Sequence, residues 1–313
     1  MQVIRYEPNM APIGQRCVVA LGFFDGVHLA HRRLLARARQ IARAEGLTLA
    51  VFTFASEAED YKNTEERLYS TEQKLDLLCS LGVELVLLAD FSSLRDLSAE
   101  AFALDVLVKT LGAQIAVAGY NFRFGKGAAG DAQTLLALMQ ASGGNAVIEP
   151  QYCEGGEAVS STRIRRLLAE GKAEEAGRLL GTPYFLEGTV ESGRGMGRTW
   201  GIPTVNLPLP NGSTRPREGV YRSAILIRGK VYHAVTNVGK CPTFGAREVH
   251  SETHVLGCDL SLYGECVRVY LLGYLREEKV FLDVEQLKMQ INIDKNRAIK
   301  ENGDIKWLAT GQN

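Results

Sequence analysis

Up to residue 181 the chain alternates short apolar runs with segments whose apolar residues recur every three or four positions. Runs at 18–21, 47–54, 83–88, 115–118 and 146–148 predict buried strands. Segments at 31–44, 70–81, 99–111, 131–140 and 162–169 predict helices. Leu34, Leu35, Ala38, Ile41 and Ala42 share one face of the first helix, and Ser70 with Gln73 fits a capping box at the start of the second. Apolar strands alternating with helices imply a parallel sheet covered on both faces, with ligands at the carboxyl ends of its strands.

The pattern changes at Thr182-Pro183. Segments rich in β-branched residues and glycine follow at 185–190, 220–228, 230–238, 253–256 and 266–272, broken by the turns Arg228-Gly229 and Tyr263-Gly264. They predict a small antiparallel barrel or sandwich, and a helix over 284–300 closes the chain. The expected organisation is an α/β domain over 1–181 and a β domain over 182–313.

Composition narrows the function. Lys plus Arg and Asp plus Glu both number 36, so the chain lacks the basic excess of a general nucleic-acid or membrane-surface binder. Local basic patches remain open to small phosphorylated ligands. Cysteines 17, 79, 153, 241, 258 and 266 form no C-x-x-C pair, and several lie in apolar runs, where a buried reduced thiol is expected. Residues 1–13 lack the layout of a signal peptide, and no apolar run approaches the ~20 residues of a membrane helix. The expected location is the cytoplasm.

Three stretches carry candidate chemistry. The first is Gly22-Phe23-Phe24-Asp25-Gly26-Val27-His28-Leu29-Ala30-His31, where a buried strand gives way to a basic helix. Free helical N–H groups and the helix dipole favour anions there, and imidazoles can donate to phosphate oxygens. The histidines could equally be plain helix-start residues; a metal site would need another ligand nearby. The second, 119–131, follows the strand at 115–118. It combines four glycines with Asn121, Phe122, Arg123, Phe124 and Lys126, which suits a planar ring carrying a phosphate. In the third, the Ser160, Ser161 and Thr162 hydroxyls cap a helix, and Arg163 and Arg165 can bind phosphate.

In this order, G-x-F-D-G-V-H-x-x-H, N-F-R-F-G and S-S-T-R-I-R, the first half resembles the adenylyltransferase half of bacterial bifunctional riboflavin kinase/FMN adenylyltransferase, also called FAD synthetase. The second half resembles its flavokinase half. Gly188-Thr-Val190, Gly193-Arg-Gly195-Met-Gly197-Arg198 and Gly201-Ile-Pro203-Thr204-Val-Asn206 open that series. Gly219-Val-Tyr221, Asn237-Val-Gly239, Pro242-Thr-Phe-Gly245, Glu252-Thr-His254 and Leu262-Tyr263-Gly264 complete it. The resemblance spans about residues 17–300.

It implies a Rossmann-like nucleotidylyltransferase domain, a small flavokinase barrel, and the reactions riboflavin to FMN and FMN to FAD with ATP. Mg²⁺ is the implied metal, and the implied partners are small molecules. His28 and His31 would manage charge on the leaving pyrophosphate, with Arg165, Ser161 and Thr162 assisting. Gly22, Phe24, Asp25 and Gly26 would approach the nucleotide, and Asn121, Phe122 and Arg123 the flavin. In the kinase, Glu252 matches the base, while Thr204 and Asn206 suit Mg²⁺ and phosphate. Gly193, Gly195, Gly197 and Arg198 would cover the nucleotide, and Pro203 and Asn237 complete the binding set. Two departures fall in the first domain: Ala30 stands where the family usually has glycine, and an acidic stretch, 56–60, where it often has proline and histidine. They motivate an alternative, a kinase with a weak or regulatory adenylyltransferase domain. A ligand-sensing binder is a third reading, disfavoured because a binder needs no base.

Overall fold

The computed structural model describes residues 1–55, 66–192, 202–210, 212–240 (backbone alone at Lys240), 249–257 and 262–309. The chain divides into two compact units, Met1–Ser161 and Thr162–Asn313.

The sheet of the first unit holds six parallel strands. They are β1 (Gln2–Arg5), β2 (Cys17–Leu21), β3 (Thr48–Phe54), β4 (Leu85–Ala89), β5 (Ala113–Gly119) and β6 (Asn145–Glu149), in the spatial order β1-β4-β3-β2-β5-β6. Helices cover both faces, so β2, β3 and β4 are apolar along most of their length. One face packs around Leu34, Leu35, Ala38 and Leu78, from α1 (Leu29–Glu45) and α2 (Thr71–Ser80). After the short α3 (Phe91–Leu94), the other face packs around Phe102, Val106, Leu107, Leu135 and Met139. These come from α4 (Ala99–Ala101), its continuation Phe102–Thr110, and α5 (Ala132–Ala141). From β2 the chain builds outward through β3 and β4, then crosses back to lay β5 on the other side of β2. That reversal opens a crevice at the carboxyl ends of β2 and β5. The first two candidate stretches are the loops that leave those two ends.

Besides the short α3, the first unit departs from the predicted elements in three places. β1 is not a predicted strand, because its mixed, mostly exposed residues are ordered by register with β4, Gln2↔Leu85 to Arg5↔Leu88. The predicted helix at 99–111 is π-type over Phe102–Thr110: the Leu111 N–H donates to the Val106 carbonyl five residues back, at 3.0 Å. A hairpin, β7 (Cys153–Glu154) and β8 (Glu157–Ala158), turns on Gly155 and Gly156, both at positive φ.

The second unit begins with α6 (Ser161–Ala169, its first residue on the division) and α7 (Ala173–Leu180). Six antiparallel strands follow: β9 (Phe185–Thr189), β10 (Thr204–Pro208), β11 (Gly219–Ile227), β12 (Lys230–Lys240), β13 (Val249–Val255) and β14 (Cys266–Arg276). Their order is β10-β13-β12-β11-β14-β9, and an antiparallel bridge from Glu191 to Asn206 brings the two edges together, giving a nearly closed barrel. The division precedes the change of residue pattern at 181/182 because α7 packs on β14. β10 escapes the strand pattern, since it is short and ends in Pro208, which an edge strand tolerates. Inside the barrel, the hydroxyls of Ser223, Thr236 and Thr253 are fully buried and bonded in series at 2.8 and 2.9 Å.

The closing helix α8 (Val284–Asn302) lies on the sheet, with Ala298 packed among Val220, Val235 and Leu275. Buried Asp294 accepts from Arg276 of β14 at 2.7 Å, and the Asn302 amide donates to the Ser223 carbonyl. The expectation of buried thiols holds for Cys17 alone among the four cysteines described; Cys79, Cys153 and Cys266 are exposed. Among the described residues no helix is long and apolar enough to cross a membrane.

Candidate functional site

The loop after β2 is strained. Phe24, Gly26 and Val27 take φ values of +54°, +80° and +43°. Such a conformation costs about 1–3 kcal/mol at each non-glycine position, most for a β-branched residue. Burial of the Phe24 ring and Val27 offsets it, as both are fully inaccessible. Two bonds hold the Asp25 backbone and side chain in place. The Ser161 hydroxyl donates to the Asp25 carbonyl at 2.9 Å, and Asp25 Oδ1 accepts from the Leu68 N–H at 2.9 Å.

His28 follows the turn as the N-cap of α1, and its Nδ1 accepts from the His31 N–H at 3.4 Å. The two imidazoles stack 3.7 Å apart at 11°. Burial lowers His28 to about 4, and burial, His28 and Lys74 hold His31 well below its ordinary value. Both rings are therefore neutral near pH 7. A neutral His28 whose Nδ1 accepts carries its proton on Nε2, leaving that nitrogen as a donor. The expected charge management thus becomes hydrogen-bond donation by neutral rings. His31 Nδ1 is buried without a hydrogen-bond partner among the described residues. Ala30 lies within α1 and is not among the positive-φ residues, so no backbone demand for glycine exists there.

A cation missed in the sequence lies beside this turn. Lys74 of α2 is only 3% exposed, and its Nζ donates to the Phe54 carbonyl at 2.5 Å, the Phe23 carbonyl at 3.4 Å and Thr53 Oγ1 at 3.4 Å. The signal open to reading was its place on the apolar side of α2, four residues before buried Leu78.

The loop after β5 folds back through a Phe124↔Gly130 bridge. Gly130 is required by space: a Cβ would stand 2.8 Å from the Phe124 ring. Phe122 stacks on Phe124 at 5.6 Å, Asn121 and Arg123 are exposed, and Arg123 pairs loosely with Asp131 at 3.9 Å. Phe23 and Phe54 stack at 4.9 Å at the ends of β2 and β3. Gly22 immediately precedes the strained turn, where a Cβ would meet the Phe24 ring at 3.2 Å. Thr162 and Arg165 fall in the second unit, where the Arg165 guanidinium donates to Thr162 Oγ1 at 3.2 Å.

In the barrel, the candidates are set by register. Glu252 of β13 lies opposite Asn206 of β10 on one side and Asn237 of β12 on the other. Opposed residues point to one face, so the three side chains form a row. Thr204 precedes Asn206 by two on the same face, opposite His254, whose Nδ1–H donates to the Pro203 carbonyl at 2.9 Å. Asn237 donates to Glu278 at 2.7 Å, and its Oδ1 is buried with no donor among the described residues. Neutral oxygens on Thr204, Asn206 and Asn237 beside a carboxylate form a hard donor set that suits Mg²⁺. Gly193, Gly195, Gly197 and Arg198, like the acidic stretch 56–60, lie outside the described residues.

Known proteins resemble both halves. Residues 11–163 match the family model described as FAD synthetase, and residues 180–301 the one described as riboflavin kinase. The bifunctional riboflavin kinase/FMN adenylyltransferase of Bacillus subtilis (strain 168) is 34% identical over 293 residues, covering 91% of this chain and 92% of that protein. Its namesake from Escherichia coli (strain K12) is 35% identical over 300 residues, covering 94% and 96%. A crystal structure described as a macrolide-efflux protein from Streptococcus pneumoniae matches with a TM-score of 0.85 at 32% identity, covering 95% of this chain and 99% of that one.

Proposed function

We propose a division of labour within a chain that belongs to the bifunctional riboflavin kinase/FMN adenylyltransferase family: side chains set by register serve the kinase, and a strained turn serves the adenylyltransferase. The enzyme phosphorylates riboflavin with ATP to give FMN, then joins FMN to the adenylyl group of a second ATP, releasing pyrophosphate.

The kinase nucleophile is a ribityl hydroxyl, which must lose a proton as it attacks the γ-phosphate. That requires a general base. Glu252 serves, and the observation that carries this assignment is its place in register between Asn206 and Asn237. Asn237 orients the row through its bond to Glu278. Thr204 and Asn206 hold Mg²⁺, which when bound neutralises charge on the phosphates. Pro203 leads the chain into this row, and Gly193, Gly195, Gly197 and Arg198 belong to the nucleotide-binding loop by family resemblance alone.

The adenylyltransferase nucleophile is a phosphate oxygen, already ionised, so positioning and electrostatics suffice. His28 Nε2–H and His31 donate to ATP phosphate oxygens, and Gly22, Phe24, Asp25 and Gly26 shape the backbone that approaches them. Asn121, Phe122 and Arg123 border the flavin. Ser161 fixes the turn through Asp25, and Thr162 and Arg165 belong to the phosphate-binding set by family resemblance alone. The location proposed is the cytoplasm, with only small-molecule partners.

Incubation with riboflavin, ATP and Mg²⁺, followed by chromatography of the flavins, tests the reading. FMN followed by FAD is expected. FMN accumulating alone would favour the kinase with a weak first domain, and unchanged riboflavin would overturn both.

A further inference from the structure

Lys74 is a poor fit to its helix and to its surroundings unless it has work to do. It sits at the end of the first turn of α2, the end of a helix that disfavours cations. It is almost wholly buried, where an ammonium is tolerated only when oxygens surround it. Among the described residues, the oxygens it reaches are specific. Two belong to the end of β3, the Phe54 carbonyl and the Thr53 hydroxyl, and one is the Phe23 carbonyl, next to the first left-handed residue of the strained turn. Thr53 Oγ1 also donates to the Phe23 carbonyl at 2.9 Å, so the two strand ends are tied twice.

We infer that Lys74 is a positioning residue for adenylyl transfer: its ammonium ties the turn after β2 to the end of β3 and so sets where His28 and His31 stand. Three connections make the chain of cause short. The Phe23 carbonyl directly precedes Phe24, and the Val27 N–H donates back to the Phe24 carbonyl at 3.2 Å. Val27 leads into His28, and the two imidazoles stack on each other. Among the described residues, the charged or titratable groups acting on His31 are His28, from the same turn, and Lys74, from α2; both favour its neutral form. Lys74 therefore acts twice on one ring, through the backbone that carries it and through a field that adds to burial and His28 in favouring its neutral form.

This inference rests on assigning adenylyl transfer to the His28 and His31 edge, so the two are tested apart. In the full chain, Lys74→Met removes the charge while keeping the length of the stem. FAD formation from supplied FMN is expected to fall at least tenfold, with riboflavin phosphorylation unchanged. Side-chain ¹H–¹⁵N correlation spectra should show the His31 titration moving up, while burial and His28 still hold it below the ordinary imidazole range. Lys74→Arg, which keeps the charge, should recover much of the lost rate. Parental FAD formation in Lys74→Met, or an unmoved His31 titration, would overturn the inference. So would equal loss of the folded spectrum in both variants, which would make Lys74 a scaffold residue only. His28→Ala separates the premise: if it leaves FAD formation intact, the site assignment fails, whatever Lys74 does.

Discussion

The two units place polar groups by opposite means. In the barrel, Asn206, Glu252 and Asn237 sit on adjacent strands of a regular ladder, and pairing alone aligns them. In the parallel sheet, the groups proposed for adenylyl transfer leave the strands and enter a turn with three positive φ values, held by Phe24, Ser161, Asp25 and Lys74. The proposed chemistry matches the contrast. Deprotonating a hydroxyl needs a carboxylate at a defined distance, which a ladder supplies. Binding a triphosphate needs N–H donors and a close backbone, which a strained turn before a helix supplies.

The strongest way to break this comparison is Glu252→Gln. Removing a general base should lower FMN formation by roughly 10²–10⁴-fold while leaving FAD formation from supplied FMN intact, as coupled flavin chromatography would reveal. A variant that slowed both steps equally would end the division of labour. His28→Ala should do the converse, cutting FAD formation about 10²–10³-fold, the usual loss of one preorganised donor, and sparing FMN formation.

A pH series sharpens the contrast next. Folded His28 titrates at about 4 against an ordinary 6.5, so between those values the unfolded chain binds more protons. The stability linked to this ring is fully present above pH 6.5 and is lost as pH falls through 4, by about 3 kcal/mol. His31 adds loss in the same direction. Urea unfolding of the first unit's transition at pH 7 and pH 4 would measure it; a pH-independent midpoint would contradict neutral buried rings. The smallest effect expected is that of Gly130→Ala. Its Cβ would press on the Phe124 ring at 2.8 Å, costing roughly 1–3 kcal/mol in thermal unfolding and disturbing the loop of Phe122 and Arg123, with the kinase untouched.

The reading from sequence alone was strongest where burial writes itself into residue order. Apolar runs announced β2, β3 and β4, and Ser70 with Gln73 does form the capping box, each bonding the other's backbone. It was weakest where partners are distant. β1 and β10 are edge strands whose register comes from β4 and β13. The π-type stretch Phe102–Thr110 keeps a helical apolar pattern, so periodicity does not reveal its extra width. Ala30 looked like a liability by comparison with the family pattern, yet it stands in helical backbone where a methyl group is at ease.

By itself the sequence determined that two unlike units follow one another and to which family their ordered motifs belong, because local periodicity and ordered motifs survive in one dimension. Tertiary structure alone decided that Glu252 lies between Asn206 and Asn237, that His28 and His31 are neutral, and that Lys74 is an interior cation. Register, desolvation and the meeting of strand ends depend on residues far apart in the chain, and they take effect only once the sheets have formed.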